Sequence, residues 1–410
     1  MQPIRRTVAV LSSTVLLVMI GVSIILPALP QYGLAIGATA FLAGVLVGAL
    51  PAARLLLNLP AGAWADRFGN DRIMRIGLAI IALSSALAVV AFNYWVLLSV
   101  RIAEGIGSAF YLTSSLGALA RAVPSERRGR YMGVYVNALL FGQVLGPVIG
   151  GAVVLAWGLR APFAAYALLA CLGMMLVTFG LEPSTLVHAG GAVDFAGIRR
   201  LLSDRSYLLV NMGVMGAFFT RWGLIAAVVP LFVAFNWGVS SALATTYAGI
   251  LITSSALASL LTIYPSGWIA DRVGRKIPFV LSLVAAGFVV PFLFFTRDLA
   301  GAIPVMFLFG LVLGFQGPFA AWPTDLTPTE LMGTSMGLYR MIADIGFLSG
   351  PVVLAAVLEF TMVEGKATIA AFLVAAVWVI ASGLLTLSAR DPVAEQRRAG
   401  AATGRPGNAN

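Results

Sequence analysis

The sequence predicts an all-α membrane protein of twelve transmembrane helices arranged as two pseudo-symmetric six-helix bundles. Three observations lead there. Of the 410 residues, 60% are hydrophobic and 10% charged, against roughly 25% charged in soluble domains, so the chain lacks the polar surface to dissolve in water. The apolar residues gather in long runs, each near the roughly 20 residues a helix needs to cross a bilayer. Finally, short motifs of the first half return in the second half at a near-constant spacing.

The runs place spans at about 7–30, 36–59, 72–91, 94–120, 129–156 and 161–182. Six more follow at about 207–235, 241–264, 276–296, 300–323, 334–358 and 366–388. Helices are the reading because each run exceeds what a barrel strand needs and none alternates with period two. Arg5 and Arg6 ahead of the first run imitate a signal peptide. That run is long enough to span, however, and no small-residue cleavage site follows, so it is read as a retained first helix. The longest polar interruption divides the chain into an amino-terminal bundle 1–182, a cytoplasmic linker 183–206 and a carboxy-terminal bundle 207–390. A Gly/Ala/Arg-rich tail, 391–410, is expected to be disordered.

Orientation follows from the basic residues. Nineteen of the 26 Lys and Arg fall on the side of the amino terminus, and three (Arg160, Arg297 and Lys366) on the other. Basic loops stay inside, so both termini are expected in the cytoplasm and the protein in the cell membrane. The net charge of +10 is therefore a product of topology and implies no nucleic-acid partner. Cys171 is the only cysteine and His188, in the polar linker, the only histidine, so neither a disulfide nor a metal site is expected. No nucleophile–base constellation and no Walker sequence appears, which speaks against a membrane enzyme and an ATP-driven pump. No cofactor is expected.

The repeat is specific. Gly62-Ala-Trp-Ala-Asp66-Arg67-Phe-Gly69 returns 205 residues later as Gly267-Trp-Ile-Ala-Asp271-Arg272-Val-Gly274. Pro124-Ser-Glu126, Met132-Gly133 and Gly146-Pro147 return 204 residues later as Pro328-Thr-Glu330, Met336-Gly337 and Gly350-Pro351. Six spans bring the chain back to the same side, so the halves are parallel repeats.

Two six-helix halves with Gly-x-x-x-Asp-Arg-x-Gly between spans 2 and 3, and again between 8 and 9, resemble the major facilitator superfamily. Read alone, Gly62 and Gly69 permit a tight turn, Asp66 can accept at a helix amino terminus, and Arg67 can pair with a nearby carboxylate. The resemblance implies that the loop latches one access state, with Glu126 as acidic partner. The basic run after the second glycine is weakened to Asn70-Asp71-Arg72 in the first copy, whereas the second keeps Arg275-Lys276. Span 5 carries Gly133, Gly142, Gly146, Pro147, Gly150 and Gly151, which matches the glycine motif of the family's antiporters. Small residues at these spacings carve a groove for a neighbouring helix, and ordinary bundle packing is the plainer use for them. With Pro27-Ala-Leu-Pro30 ending span 1 and Arg101-Ile-Ala-Glu104-Gly105 in span 4, the chain is similar to the twelve-helix drug–proton antiporters.

Charges inside the membrane are few, and expensive enough to be functional candidates. They are Arg54 in span 2, Arg101 and Glu104 in span 4, Arg221 in span 7, and Arg340 and Asp344 in span 11. Glu359 lies toward the end of span 11. Residues three or four apart share one helix face, so Arg101 with Glu104, and Arg340 with Asp344, can each load and release a proton as a partner moves. Either pair can also be a structural ion pair. The resemblance places span 4 on the central cavity, which makes Glu104 the first coupling candidate and Asp344, within possible reach of Arg54, the second. Arg54, Arg221, Phe315 and Trp322 are candidates for lining a substrate cavity. Arg221 could meet an anionic substrate or snorkel toward an interface.

The expectation is thus a secondary transporter, working as a monomer in the lipid bilayer. It would export a small amphipathic organic compound or drug in exchange for protons by alternating access. An importer or facilitator of a small nutrient is the first rival, and a membrane sensor or scaffold that transports nothing is the second.

Overall fold

The computed structural model describes residues 2–124, 127–181, 195–316, 320–395 and 397. Eleven helices among the described residues are long and apolar enough to cross a membrane, and Leu299–Gly314 is a shorter apolar helix. The first half contains α1 (Gln2–Ile25), a short α2 (Leu29–Ala35), α3 (Ala40–Phe68), α4 (Asn70–Val89), α5 (Tyr94–Ala122), α6 (Arg128–Trp157) and α7 (Ala161–Gly180). The second contains α8 (Phe195–Ser203), α9 (Arg205–Gly223), α10 (Val229–Asn236), α11 (Ser241–Val273), α12 (Lys276–Val289), α13 (Leu299–Gly314), α14 (Ala321–Asp325), α15 (Met332–Phe360) and α16 (Ala370–Leu385).

Local chemistry explains where the helices depart from the expected spans. The first span breaks after Ile25 because Pro27 and Pro30 withhold backbone donors, and Pro30 instead sits in the first turn of α2. The seventh passes from α9 through a π-helical turn, Leu224–Val228, into α10. The tenth, expected over 300–323, is α-helical over Leu299–Gly314, and α14 covers Ala321–Asp325; residues 317–319 lie outside the described part. The linker expected over 183–206 is helical over Phe195–Ser203; residues 183–194 lie outside the described part. The tail expected to be disordered from residue 391 begins ordered. Asp391 Oδ2 accepts from the Lys276 amide at 2.9 Å and so caps the amino terminus of α12.

The chain falls into two compact units that do not follow the sequence halves. Unit 1 comprises Met1–Ala192, Ile225–Thr253 and Pro351–Thr368. In it α1 packs on α6 and α7, α5 on α3 and α4, and α4 on α7. Unit 2 comprises Val193–Leu224, Ser254–Gly350 and Ile369–Asn410, with α16 packed on α9 and α12.

Glycine explains why segments of the second half join the first. Cβ atoms on Gly142 and Gly146 would lie 2.9 Å from the Leu16 and Ile20 carbonyl oxygens, and one on Gly150 would strike that of Ile24. Three glycines four residues apart thus ride over three carbonyls four residues apart, backbone against backbone. The other face of α6 meets α11, where a Cβ on Gly151 would lie 2.8 Å from Thr246 Cα and Gly249 abuts the Pro147 carbonyl. Gly44 of α3 in turn abuts the Pro351 carbonyl of α15, at 2.5 Å from a built Cβ. Gly44 and Gly249 are repeat equivalents, as are Pro147 and Pro351, so the two contacts are reciprocal. At the same end Gln31 Nε2 donates to the Pro230 carbonyl at 2.8 Å, the Phe41 amide donates to Glu359 Oε2, and Asn236 exchanges two hydrogen bonds with the Ala367 backbone.

Candidate functional site

In α5 the first coupling candidate is a closed ion pair. Asn93 caps the helix through the Val96 amide, and Gly105 and Gly107 press it onto its neighbours. A Cβ on Gly105 would lie 2.6 Å from the Leu50 carbonyl of α3, and one on Gly107 2.7 Å from the Gly77 carbonyl of α4. That close approach carries Glu104 into the interior of unit 1, where it has no exposed surface. Its Oε2 accepts from Arg101 Nη1, and its Oε1 accepts from the Ser85 hydroxyl of α4 at 2.7 Å. Arg101 is 3% exposed, with its Nε buried and unbonded. Tyr166 of α7 lies within electrostatic reach of both charges, and its buried hydroxyl has no partner. The arrangement can hold one negative and one positive charge away from water at no net charge.

The two members of the second candidate pair differ in burial. Asp344 is buried at 2% exposure while Arg340 is exposed. Arg54 is also buried, and both it and Asp344 have partners.

The two loop motifs make matching turns. Gly69 at φ 94° and Gly274 at φ 98° occupy the left-handed region that glycine enters without strain. Each amide closes the preceding helix, onto the Ala65 and Ala270 carbonyls. The charges around them are wired differently from the expectation. Asp66 does not cap a helix; its Oδ1 accepts from Arg121 Nη1 of α5 at 2.8 Å. Arg67 rests over the Phe68 ring at 5.2 Å and Arg272 over the Trp268 ring at 3.6 Å. In the second copy Arg275 bonds Asp271 at 2.5 Å and Asp325 at 3.0 Å. Burial pulls the Arg275 guanidinium down, but the bonds and charges of Asp325 and Asp271 outweigh it and hold the group above its ordinary value. Glu126 lies outside the described residues.

Of the span-5 glycines, Gly142, Gly146, Gly150 and Gly151 are in tight contact and the Pro147 carbonyl abuts Gly249, whereas a Cβ on Gly62 would meet only Thr113 Cγ2 at 3.6 Å and one on Gly133 or Gly267 nothing within 4 Å.

The cavity candidates separate. Arg221 and Trp222 sit in the last turn of α9, with the guanidinium 5.6 Å from the indole. Trp222 stacks on Phe347 of α15, the centroids 4.2 Å apart and the planes 18° from parallel. Phe315 lines an apolar cavity of about 340 Å³ with Ile269, Ile277 and Leu281. Trp322 is fully buried against Phe279, and its indole N–H is already given to the Arg390 carbonyl at 3.0 Å. It therefore has no donor left for a ligand.

Sequence reasoning missed Ser85, Tyr166, Arg121 and Asp325. A signal existed for two of these. Positions 121 and 325 are 204 apart, the repeat spacing, and carry opposite charges, so each meets the charge that its own loop offers.

A family profile described as Major Facilitator Superfamily matches residues 11–351 and again 210–407. The uncharacterized MFS-type transporter MJ1560 of Methanocaldococcus jannaschii is 23% identical over 359 residues, 86% of this chain and 91% of that one. Multidrug resistance protein 2 of Bacillus subtilis is 24% identical over 285 residues, 67% of this chain and 69% of that one. Among solved structures, a bacterial homologue of the human lysosomal transporter Spinster, inward-facing and unoccupied, superposes with a TM-score of 0.76 at 16% identity, covering 100% of both chains. That similarity is one of fold.

Proposed function

The chain belongs to the major facilitator superfamily, and we propose that it exports a small amphipathic organic compound, or a drug, in exchange for protons. Membership makes it a multi-pass membrane transporter. The direction, the coupling ion and a cell-membrane location with both termini inside are our reading. The name of the Bacillus subtilis relative and the span-5 glycine motif support export.

The observation that carries the coupling is the buried Arg101–Glu104–Ser85 cluster. As an ion pair it is neutral. Protonating Glu104 leaves Arg101 as a net buried cation, which is costly. The cost falls if α5 shifts against α4 so that Arg101 finds water or another partner, and that shift is the step by which a proton changes the preferred access state. Deprotonation restores the pair and the original state. Alternating access then follows from two packings of the same helices, each favoured by one protonation state.

The test uses inside-out vesicles with an acidified lumen, to which candidate compounds are added. Alkalinisation on adding a transported compound, lost in Glu104→Gln, is the expected result. Retained transport and retained pH dependence in Glu104→Gln would remove Glu104 from the coupling. Transport of a demonstrated substrate without proton movement would favour a facilitator, and absence of transport across the panel a sensor or scaffold.

A further inference from the structure

Arg221 has no task in the coupling cycle above, and its surroundings are unusual for a cation in the middle of a long membrane span. Its Nε is buried without a hydrogen-bond partner. Among the described residues its titratable neighbour is Tyr339 of α15, and no carboxylate is paired with it. The adjacent Trp222 Nε1 is likewise buried and unbonded. Immediately afterwards the helix widens into the π turn Leu224–Val228, a distortion found disproportionately at functional sites. Arg221 and Trp222 both keep part of their surface exposed, so a ligand can reach them.

An arginine in hydrocarbon surroundings without a counter-charge is costly. Two neighbouring donors without acceptors add to that cost. A guanidinium presents its donors as a planar fork that fits a carboxylate or sulfonate. The stacked Trp222 and Phe347 rings supply a flat apolar wall beside it. One ligand chemistry satisfies all of these groups.

We propose that Arg221 and Trp222, backed by Phe347, form an anion-binding subsite, and that the transported compound is a flat, largely apolar molecule bearing one acidic group. This rests on reading the chain as a small-molecule transporter and narrows the substrate class. Arg221 would hold the acid, Trp222 Nε1 a second acceptor, and the rings the apolar body.

The experiment is calorimetric titration of the full chain in phosphatidylcholine nanodiscs with three probes of equal shape: 2-naphthoate, 2-naphthylmethanol and 2-naphthylmethylamine. Naphthoate is expected to bind about tenfold or more tightly than the alcohol, with the amine weakest. Arg221→Gln should bring naphthoate down to the affinity of the alcohol while leaving the alcohol unchanged, which also shows that the variant is folded. Arg221→Lys should keep part of the preference. No preference for the anion in the unaltered protein, including no binding of naphthoate, overturns the proposal, and so does a preference that survives Arg221→Gln. A purely structural cation at the carbonyl end of α9 predicts one of those two results. Displacement of naphthoate by added phosphatidylglycerol would assign the subsite to a lipid headgroup and overturn the substrate reading. The titration uses no gradient and so stands apart from the vesicle assay. Absence of proton movement would overturn antiport and leave the subsite, and a missing anion preference with intact proton exchange would do the reverse.

Discussion

Arg101 in unit 1 and Arg221 in unit 2 are both cations in membrane-spanning helices, and they are handled in opposite ways. Arg101 lies three residues from Glu104 and is sealed with it against Ser85. Arg221 has aromatic neighbours and an unbonded Nε, and among the described residues no carboxylate is paired with it. A charge that is neutralised on its own helix is stable in one conformation and becomes costly when a proton arrives. A charge left open is costly in this conformation and is relieved by whatever anion binds. On the functional reading proposed above, the difference separates a place where ions would drive the protein from a place where a ligand would be recognised.

Four measurements bear on this contrast, all of stability by unfolding in mixed micelles. The largest effect is expected for Glu104→Ala, which leaves Arg101 buried without its counter-charge and should destabilise by about 3–5 kcal/mol. A double replacement, Arg101→Met with Glu104→Leu, should lose much less. Equal losses would mean that the pair is not neutralising in the sense argued. Next, Ser85→Ala removes a hydrogen bond to a charged acceptor and should cost about 1.5–3 kcal/mol. Arg221→Leu should have the opposite sign, stabilising by about 1 kcal/mol, because it removes an uncompensated charge from an apolar setting. Destabilisation instead would show that Arg221 has a counter-charge after all. The smallest effect concerns the aromatic wall. A double-mutant cycle between Trp222→Leu and Phe347→Leu should give a coupling of about 0.5–1.5 kcal/mol, and a zero coupling would dissolve the stack.

The spans were legible because lipid imposes one length on every helix, and the loop turns because Gly69 and Gly274 recur at the repeat spacing and adopt the same left-handed backbone. The Arg101–Glu104 pair was legible too, since contacts three residues apart along a helix need no tertiary knowledge. What escaped were contacts made across the bundle. Ser85 looks like any small polar residue until α4 is laid on α5. Arg121 and Asp325 read as loop charges until the turns bring Asp66 and Arg275 to them. Trp322 read as an aromatic cavity residue, but its indole N–H is taken by the Arg390 carbonyl, 68 residues away. The π turn in the seventh span left no mark either, because Leu224–Val228 is as apolar as any straight helix.

The glycine rail of α6 sets which spontaneous mutations this protein can carry through generations. Every single-base change that alters a glycine codon adds at least a Cβ or ends the chain. At Gly142, Gly146 and Gly150 that carbon meets backbone of α1, which cannot rotate aside as a side chain would. Gly133, in the same motif, faces open space. Lineages selected for a functional protein should therefore accumulate substitutions at position 133 and almost none at 142, 146 or 150.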